Sequence, residues 1–506
     1  MGKLKKRYYF KIVSFLIAVV FTFQNFVYSE HVSGSNLRVP IGEQGRIEKV
    51  IKPASPHSLS REAFLDKVVE MVYSYLSAQY NLPVYSGLSP DQTKELFSKY
   101  NLQDSGLGPS IVIEAIRMIM ENNMRFNHMY LGHMLTTPLA LPIFVNHLID
   151  FMNSNQANLS ADETYQLIER QTIQWLARMV GYEEHPGGMI TSGGTTANML
   201  AFKLMRDTTI NKALKEAGHS EDIRSIGLER ALELLGNRKT VIFISGEAHY
   251  SWQKMGGYEG VGANNVIGVK VDSSLRMDVE DLKKKVREAK KDGKIILGIM
   301  ATVGTTETGN IDPIKEIYKV AKNDGNDIWL HIDGAYGGAC VLSEEPELKE
   351  KMSHVKLADS ITIDPHKFLY MPYNFGAFIV KDNKALDILR PYFQNEGQGI
   401  LPQSFIEERR FDALKLWATF QWVGVRNLGK LIDYVNSMTG YLYGVCKGDE
   451  ELELLSVREM DLFTFRYIPL ELGRQLKEAV FRGDKKTINE INEKINKLTK
   501  LIQKGL

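Results

Sequence analysis

The stretch Ser360-Ile-Thr-Ile-Asp-Pro-His-Lys-Phe-Leu369 decides the reading of this chain, taken together with His331-Ile-Asp-Gly-Ala-Tyr-Gly-Gly338 upstream. The first sets one lysine, Lys367, directly after a short β-branched run, behind Pro365 and His366. The second sets one carboxylate, Asp333, at the end of another apolar run that opens into a glycine-rich turn. Runs of this kind are strand signals, and Gly and Pro close them. A lysine able to form a Schiff base and an aspartate able to pair with a pyridinium nitrogen are what a protein must supply to use pyridoxal phosphate as an electron sink.

Further motifs fall at the ends of other strand signals. Met189-Ile-Thr-Ser-Gly-Gly-Thr-Thr-Ala-Asn-Met-Leu200 runs from a small, flexible turn into a helical sequence. Backbone N–H groups at such a start, on the positive end of the helix dipole, can hold a phosphate. Gly194 permits close approach, and the Thr195 hydroxyl adds a donor. Glu247-Ala-His-Tyr-Ser251 follows the strand candidate Val241–Ser245, which puts His249 at the carboxyl edge of the sheet, where open α/β sheets bind ligands. A flat imidazole there can stack on a pyridine ring. Ala301-Thr-Val-Gly-Thr-Thr306 brings Thr302 to the same edge.

Around these motifs the chain alternates strands and helices. Strand candidates are Val241–Ser245, Val266–Val271, Ile295–Thr302, Ile328–Ile332, Ile361–Ile363 and Ala377–Val380, with helices such as Asp278–Ala289 and Pro313–Asn323 between them. This predicts an α/β fold with a mainly parallel central sheet covered on both faces. Ser60 is a candidate N-cap for an N-terminal helical arm over 58–125, the large domain spans 126–395, and a smaller α+β C-terminal domain spans 396–506. In that domain Leu462–Tyr467 alternates like an edge strand. Ile488, Ile491, Ile495, Leu498 and Leu501 form the stripe of a final amphipathic helix.

Composition excludes several classes. With 506 residues, 44% hydrophobic and 24% charged, the chain can bury more than one core. A net charge of +1 gives no electrostatic case for nucleic acid. Cys340 and Cys446 can form neither a disulfide framework nor a four-thiolate metal site, and no metal is expected; two free thiols are. Residues 1–30 are different: five Lys or Arg side chains flank the start of the apolar run Ile12–Phe23. That pattern reads first as an export signal, second as an uncleaved anchor and third as a misassigned start codon. Membrane contact is expected only through residues 8–28, localisation is exported or anchored (cytoplasmic if the start is misassigned), and 31–57 reads as a linker.

On the Lys367, Asp333, His249, Gly194 and Arg409 motifs, the sequence resembles the group II pyridoxal-phosphate-dependent amino-acid decarboxylases, from about residue 60 to about 470. The resemblance implies the type I pyridoxal-phosphate fold, aspartate-aminotransferase-like, and a homodimer. It implies Lys367 as the Schiff-base lysine, Asp333 as partner of the ring nitrogen, His249 and Ala335 on the two ring faces, and Gly194, Thr195 and His366 around the phosphate. Thr302 joins the cofactor-binding group, and Arg409, in Glu-Arg-Arg-Phe-Asp-Ala-Leu-Lys-Leu-Trp417, matches the arginine that grips the substrate carboxylate. The implied activity is conversion of an L-amino acid to its amine and CO2. An aminotransferase, a carbon–carbon lyase or a binding protein without turnover are the rivals. Two departures stand out: Gln394–Ser404 lacks the tyrosine that reprotonates Cα in the family, and the family usually continues beyond the final helix. The run Asp364–Tyr373 and the Arg409 pattern lean to an aromatic substrate, and Gly132-His-Met134 and Asn155-Gln156 lean to the glutamate and aspartate branch; the aromatic substrate is slightly favoured, because its matching residues lie nearest the lysine and the carboxylate clamp.

Overall fold

The structure is a computed structural model that describes residues 61–78, 82–100, 107–127, 130, 134–154, 163–323, 325–390 and 409–505. The signal-like segment, Ser60, Gly132-His133, Asn155-Gln156 and the stretch Gln394–Ser404 lie outside the described residues. The chain divides into two compact units, Met1–Arg125 and Phe126–Leu506. The first contains helices Arg61–Ala78, Pro90–Phe97 and Pro109–Asn122. Ser89 and Gln92 close a reciprocal capping box at the start of the middle one, and Pro90 sits at its first position, where no N–H is needed.

The second unit is built on a seven-stranded sheet: β1 (Gly187–Thr191), β2 (Thr240–Ser245), β3 (Val266–Val269), β4 (Ile295–Thr302), β5 (Leu330–Gly334), β6 (Ser360–Ile363) and β7 (Gly376–Val380). Their spatial order is β1-β7-β6-β5-β4-β2-β3. The ladders β2–β3, β2–β4, β4–β5 and β5–β6 are parallel, and β7 runs antiparallel to both β6 and β1. Every strand except β7 therefore ends at the same edge. Register sets Thr302 beside Asp333, and Asp333 beside Thr362, along that edge.

Alternation along the strands separates two cores. Val241 and Phe243 join the cluster with Ile299, Ile332 and Ile361. Ile242 and Ile244 join the cluster with Leu200, Trp252, Met300 and Phe378 on the other face. A sheet buried on both faces gives nearly continuous apolar runs, which is why β2, β4, β6 and β7 are visible in the sequence. Three strands of the sheet differ from expectation by more than one residue, β3 by ending at Val269 rather than Val271. β1 begins with Gly187-Gly188, a turn signal rather than a strand signal. β5 starts two residues later than expected and runs through Asp333 to Gly334, fully buried, because its polar side chains are paired.

Beyond the sheet, helix Ala413–Trp422 packs by stacking of Trp417 on Trp175 and of Phe411 on Tyr165. Helices Val425–Gly448, Leu470–Arg482 and Lys485–Gly505 surround the two-stranded ladder of β8 (Leu452–Leu454) and β9 (Phe465–Tyr467). Ile491 and Ile495 of the expected stripe are buried with Ile468 and Leu476, whereas Leu501 stays exposed. Among the described residues, no helix is long and apolar enough to cross a membrane.

The end of β4 is pinned by a buried carboxylate. Asp312 accepts from Thr302 N–H and Met277 N–H, each at 2.7 Å and each on a different oxygen. An asparagine there can satisfy one of these donors but not both. Asp312→Asn is expected to lower the unfolding free energy by about 1–3 kcal/mol, the cost of an unsatisfied buried N–H. Denaturant titration checks this; an unchanged midpoint would show that Asp312 does not hold the strand end.

Candidate active site

The shared strand edge opens into a cavity of about 380 Å³. Each element brings one part of it. The turn after β1 contributes Ser192, Gly193, Gly194 and Thr195; the turn after β2 contributes His249; β4 ends on Thr302; β5 presents Asp333 and Ala335; the turn after β6 presents Asp364, His366 and Lys367. Lys367, Asp333, His249, Gly194, Thr195, Thr302, Ala335 and His366 thus line one space. Arg409 lies outside that group.

Asp333 is 5% exposed and carries three N–H donors. Asn198 Nδ2 (2.8 Å) and Trp252 Nε1 (3.0 Å) donate to Oδ2, and Ala335 N–H (3.2 Å) donates to Oδ1. A carboxylate accepts only, so this donor set suits a fixed negative charge. Asn198 stands one helical turn beyond Gly194, on the helix Gly194–Glu216.

His249 Nδ1 accepts from Ser251 N–H at 3.3 Å and lies 2.8 Å from Ser251 Oγ. That leaves the proton on Nε2, a tautomer assigned from the network. Burial holds its imidazole below the ordinary range, which keeps it a neutral, flat surface. His366 is pushed down to about 4, chiefly by burial with Lys367 adding to it. Phe375 N–H donates to its Nδ1 at 3.2 Å. Lys367 Nζ lies 3.2 Å from Asp364 Oδ2.

The residues fit the expected cofactor on three observations. No side chain caps the helix Gly194–Glu216, which leaves its first turn open to a phosphate. A Cβ on Gly194 would stand 2.8 Å from Asp364 Oδ2 and 3.0 Å from the Ala335 Cβ, so the cradle is shaped to glycine. Gly193 has φ +150°, and Gly376 brings β7 so near that its Cβ would meet the Gly193 backbone at 2.6 Å. Lastly, Asn198 Oδ1 and Asp364 Oδ1 are buried without partners among the described residues.

Arg409 lines an adjoining cavity of about 330 Å³ that shares Ser192, Thr196 and Tyr373 with the first. Its Nη1 donates to Glu169 Oε1 and to the Ile190 carbonyl, both at 2.6 Å, while its Nε is buried without a partner among the described residues. Arg410 instead bonds Asp150, Asn146 and Asp412. Asn198, Trp252, Asp364, Tyr336 and Tyr373 are site residues that motif reading does not single out. Helical spacing from Gly194 could have found Asn198, and Trp252 follows His249 by three positions. Cys340 and Cys446 are both free thiols and both buried. Among the described residues, no cluster of three His, Cys, Asp or Glu could hold a metal ion.

Lys367→Ala is expected to abolish the borohydride-sensitive absorbance of the loaded protein, since the amine that forms the Schiff base is gone. Asp333→Asn is expected to keep the cofactor bound yet lose turnover by about 100-fold or more, the scale of one fixed electrostatic contact. Spectra and steady-state rates check both; an intact band in the first or full turnover in the second would refute the assigned roles.

Comparison with known proteins agrees with this geometry. The profile described as "Pyridoxal-dependent decarboxylase conserved domain" matches residues 90–468. The chain is similar to the L-2,4-diaminobutyrate decarboxylase of Acinetobacter baumannii, 31% identical across 81% of this chain and 80% of that one. It is similar to the aspartate 1-decarboxylase of Aliivibrio fischeri, 32% identical across 74% of this chain and 69% of that one. Among solved structures, the glutamate decarboxylase domain of the diaminobutyrate-pyruvate transaminase and L-2,4-diaminobutyrate decarboxylase from Vibrio parahaemolyticus superposes with a TM-score of 0.71 at 25% identity. That match covers 90% of this chain and 99% of the other. The chain therefore belongs to the pyridoxal-dependent decarboxylase family, as an amino-acid carboxy-lyase on a type I fold with pyridoxal phosphate as its cofactor.

Proposed function

We propose that the substrate is an L-amino acid with a short polar side chain, of the kind represented by aspartate and 2,4-diaminobutyrate. The observation that carries this reading is the wall of the main cavity. Ser192, Thr196 and Thr306 supply hydroxyl groups there, beyond Thr195, Thr302 and Asn198, which are assigned to the cofactor and to Asp333. An aromatic side chain wants apolar walls, and Met134, Ala335, Tyr336 and Tyr373 offer few among the described residues. Two relatives above 30% identity act on such short polar substrates by name. Gly132-His-Met134 and Asn155-Gln156 lean the same way. A relative named for aromatic substrates, the aromatic-L-amino-acid decarboxylase of Bacillus atrophaeus, is 25% identical, and the aromatic reading inferred near the lysine is the rival.

When bound, pyridoxal phosphate supplies the sink for the electron pair left at Cα as CO2 departs. Asp333 keeps a proton on the ring nitrogen, through a carboxylate immobilised by Asn198, Trp252 and Ala335. His249 and Ala335, which line the same cavity, would hold the cofactor ring between them. Arg409 is assigned the substrate carboxylate, for which its partnerless Nε and position on the adjoining cavity suit it. Tyr373, on the wall shared by both cavities, is pushed up to about 12 by burial and by Asp364, so its phenol remains a proton donor at neutral pH. We also infer a homodimer, from the family resemblance.

Amine release against a panel of L-amino acids tests the substrate. Aspartate or 2,4-diaminobutyrate is expected to exceed tyrosine, tryptophan and dopa in kcat/KM by at least about tenfold, the discrimination available to a few buried polar contacts. The reverse order would establish the aromatic reading and overturn this one.

A further inference from the structure

Lys367 has a resting partner whose second oxygen is unused. Its Nζ lies 3.2 Å from Asp364 Oδ2, on a carboxylate only 3% exposed. Asp364 Oδ1 is buried and has no hydrogen-bond partner among the described residues. Among the described residues that line the cavity, this is the acidic group placed on the lysine amine itself, since Asp333 is taken by its three N–H donors. The Asp364 carboxyl also abuts the first residue of the helix Gly194–Glu216, where a Cβ would stand 2.8 Å from Oδ2 and 3.2 Å from Oδ1. A charged lysine cannot attack an aldehyde, so cofactor capture needs a base within reach of Nζ.

We propose that Asp364 is that base: it takes one proton from the Lys367 ammonium and keeps it, neutral and buried, while the lysine holds the cofactor. Asp364 accepts the proton at a carboxyl oxygen, and the freed lone pair of Nζ forms the bond to the aldehyde carbon. The two protons remaining on Nζ leave with the aldehyde oxygen as water, and a C=N bond results. Charge and atoms balance: an ammonium–carboxylate pair and an aldehyde give a neutral C=N bond, a carboxylic acid and one water. The proposal rests on the family's cofactor and stands apart from the substrate assignment.

The surroundings favour this proton's final place. Burial pushes the Asp364 carboxyl up to about 7; the Lys367 charge pulls it down and Asp333 pushes it up. Once Lys367 has lost its charge, the downward pull is gone and the neutral acid is favoured further. The other titratable groups facing Asp364 are His366, with Nε2 at 3.6 Å, and Tyr373. The helix Gly194–Glu216 contributes its N-terminal end there. His249 faces Asp333 and Lys367 from the turn after β2.

The full-length protein freed of cofactor, as wild type and as Asp364→Asn, provides the test. Capture of pyridoxal phosphate is followed by absorbance from about pH 6 to about pH 9, below the value near 10.4 of an ordinary lysine. The wild-type rate is expected to level off above about pH 7, where the carboxylate is available. The variant is expected to be at least tenfold slower at neutral pH and to climb about tenfold per pH unit through the whole range, as solvent must remove the proton. Pyridoxamine phosphate, which forms no bond to Lys367, is expected to bind both proteins within about threefold. Identical pH profiles would overturn the proposal, as would equal losses for the two ligands, which would mark Asp364 as merely shaping the site. Should Asp364→Asn fail to fold, Asp364→Ser removes the carboxylate without added bulk and answers in the same assay.

Discussion

A buried carboxylate at a strand end organises this protein. Asp333 lies buried at the sheet edge, and Asn198, Trp252 and Ala335 each point an N–H at its carboxylate. An isolated buried charge costs several kcal/mol, so each donor has to be delivered by a rigid element. One comes from the helix after β1, one from the helix Ser251–Tyr258 after β2, and one from the turn of β5 itself. Those are also the elements that bring the Gly193-Gly194 turn and His249 to the cavity. Satisfying Asp333 and assembling the site are one structural problem.

The layer beneath extends the same logic. His331 shares a strand face with Asp333 and is fully buried; burial drives its imidazole down to about 3, so it remains neutral. Its Nδ1 lies 2.9 Å from Ser360 Oγ, and its ring lies 5.4 Å from that of Trp252. Trp252 is thereby packed on one side by His331 and on another by Phe202, while its indole N–H is aimed at Asp333.

Much of this was legible in the sequence, for physical reasons that also mark the limits. Strands buried on both faces leave apolar runs, so β2, β4, β6 and β7 could be read directly, and motifs at their ends fell on one edge by parallel topology. β5 was read two residues early because Asp333 and Gly334 look like a strand's end. Asp333 lies inside it because its partners, Asn198 and Trp252, come from distant segments. β1 was missed because glycine reads as turn, although its backbone pairs from Gly187 to Thr191 with β7. Arg409 was assigned by motif to the substrate, and its tie to Glu169 and the Ile190 carbonyl is a contact that spacing cannot show.

The central claim is that Asp333 holds a proton on the cofactor's ring nitrogen. The ¹⁵N chemical shift of that nitrogen, in full-length protein loaded with labelled pyridoxal phosphate, reports it most directly. The account predicts a protonated pyridinium shift that persists at neutral and mildly alkaline pH. An unprotonated pyridine shift at neutral pH would contradict it.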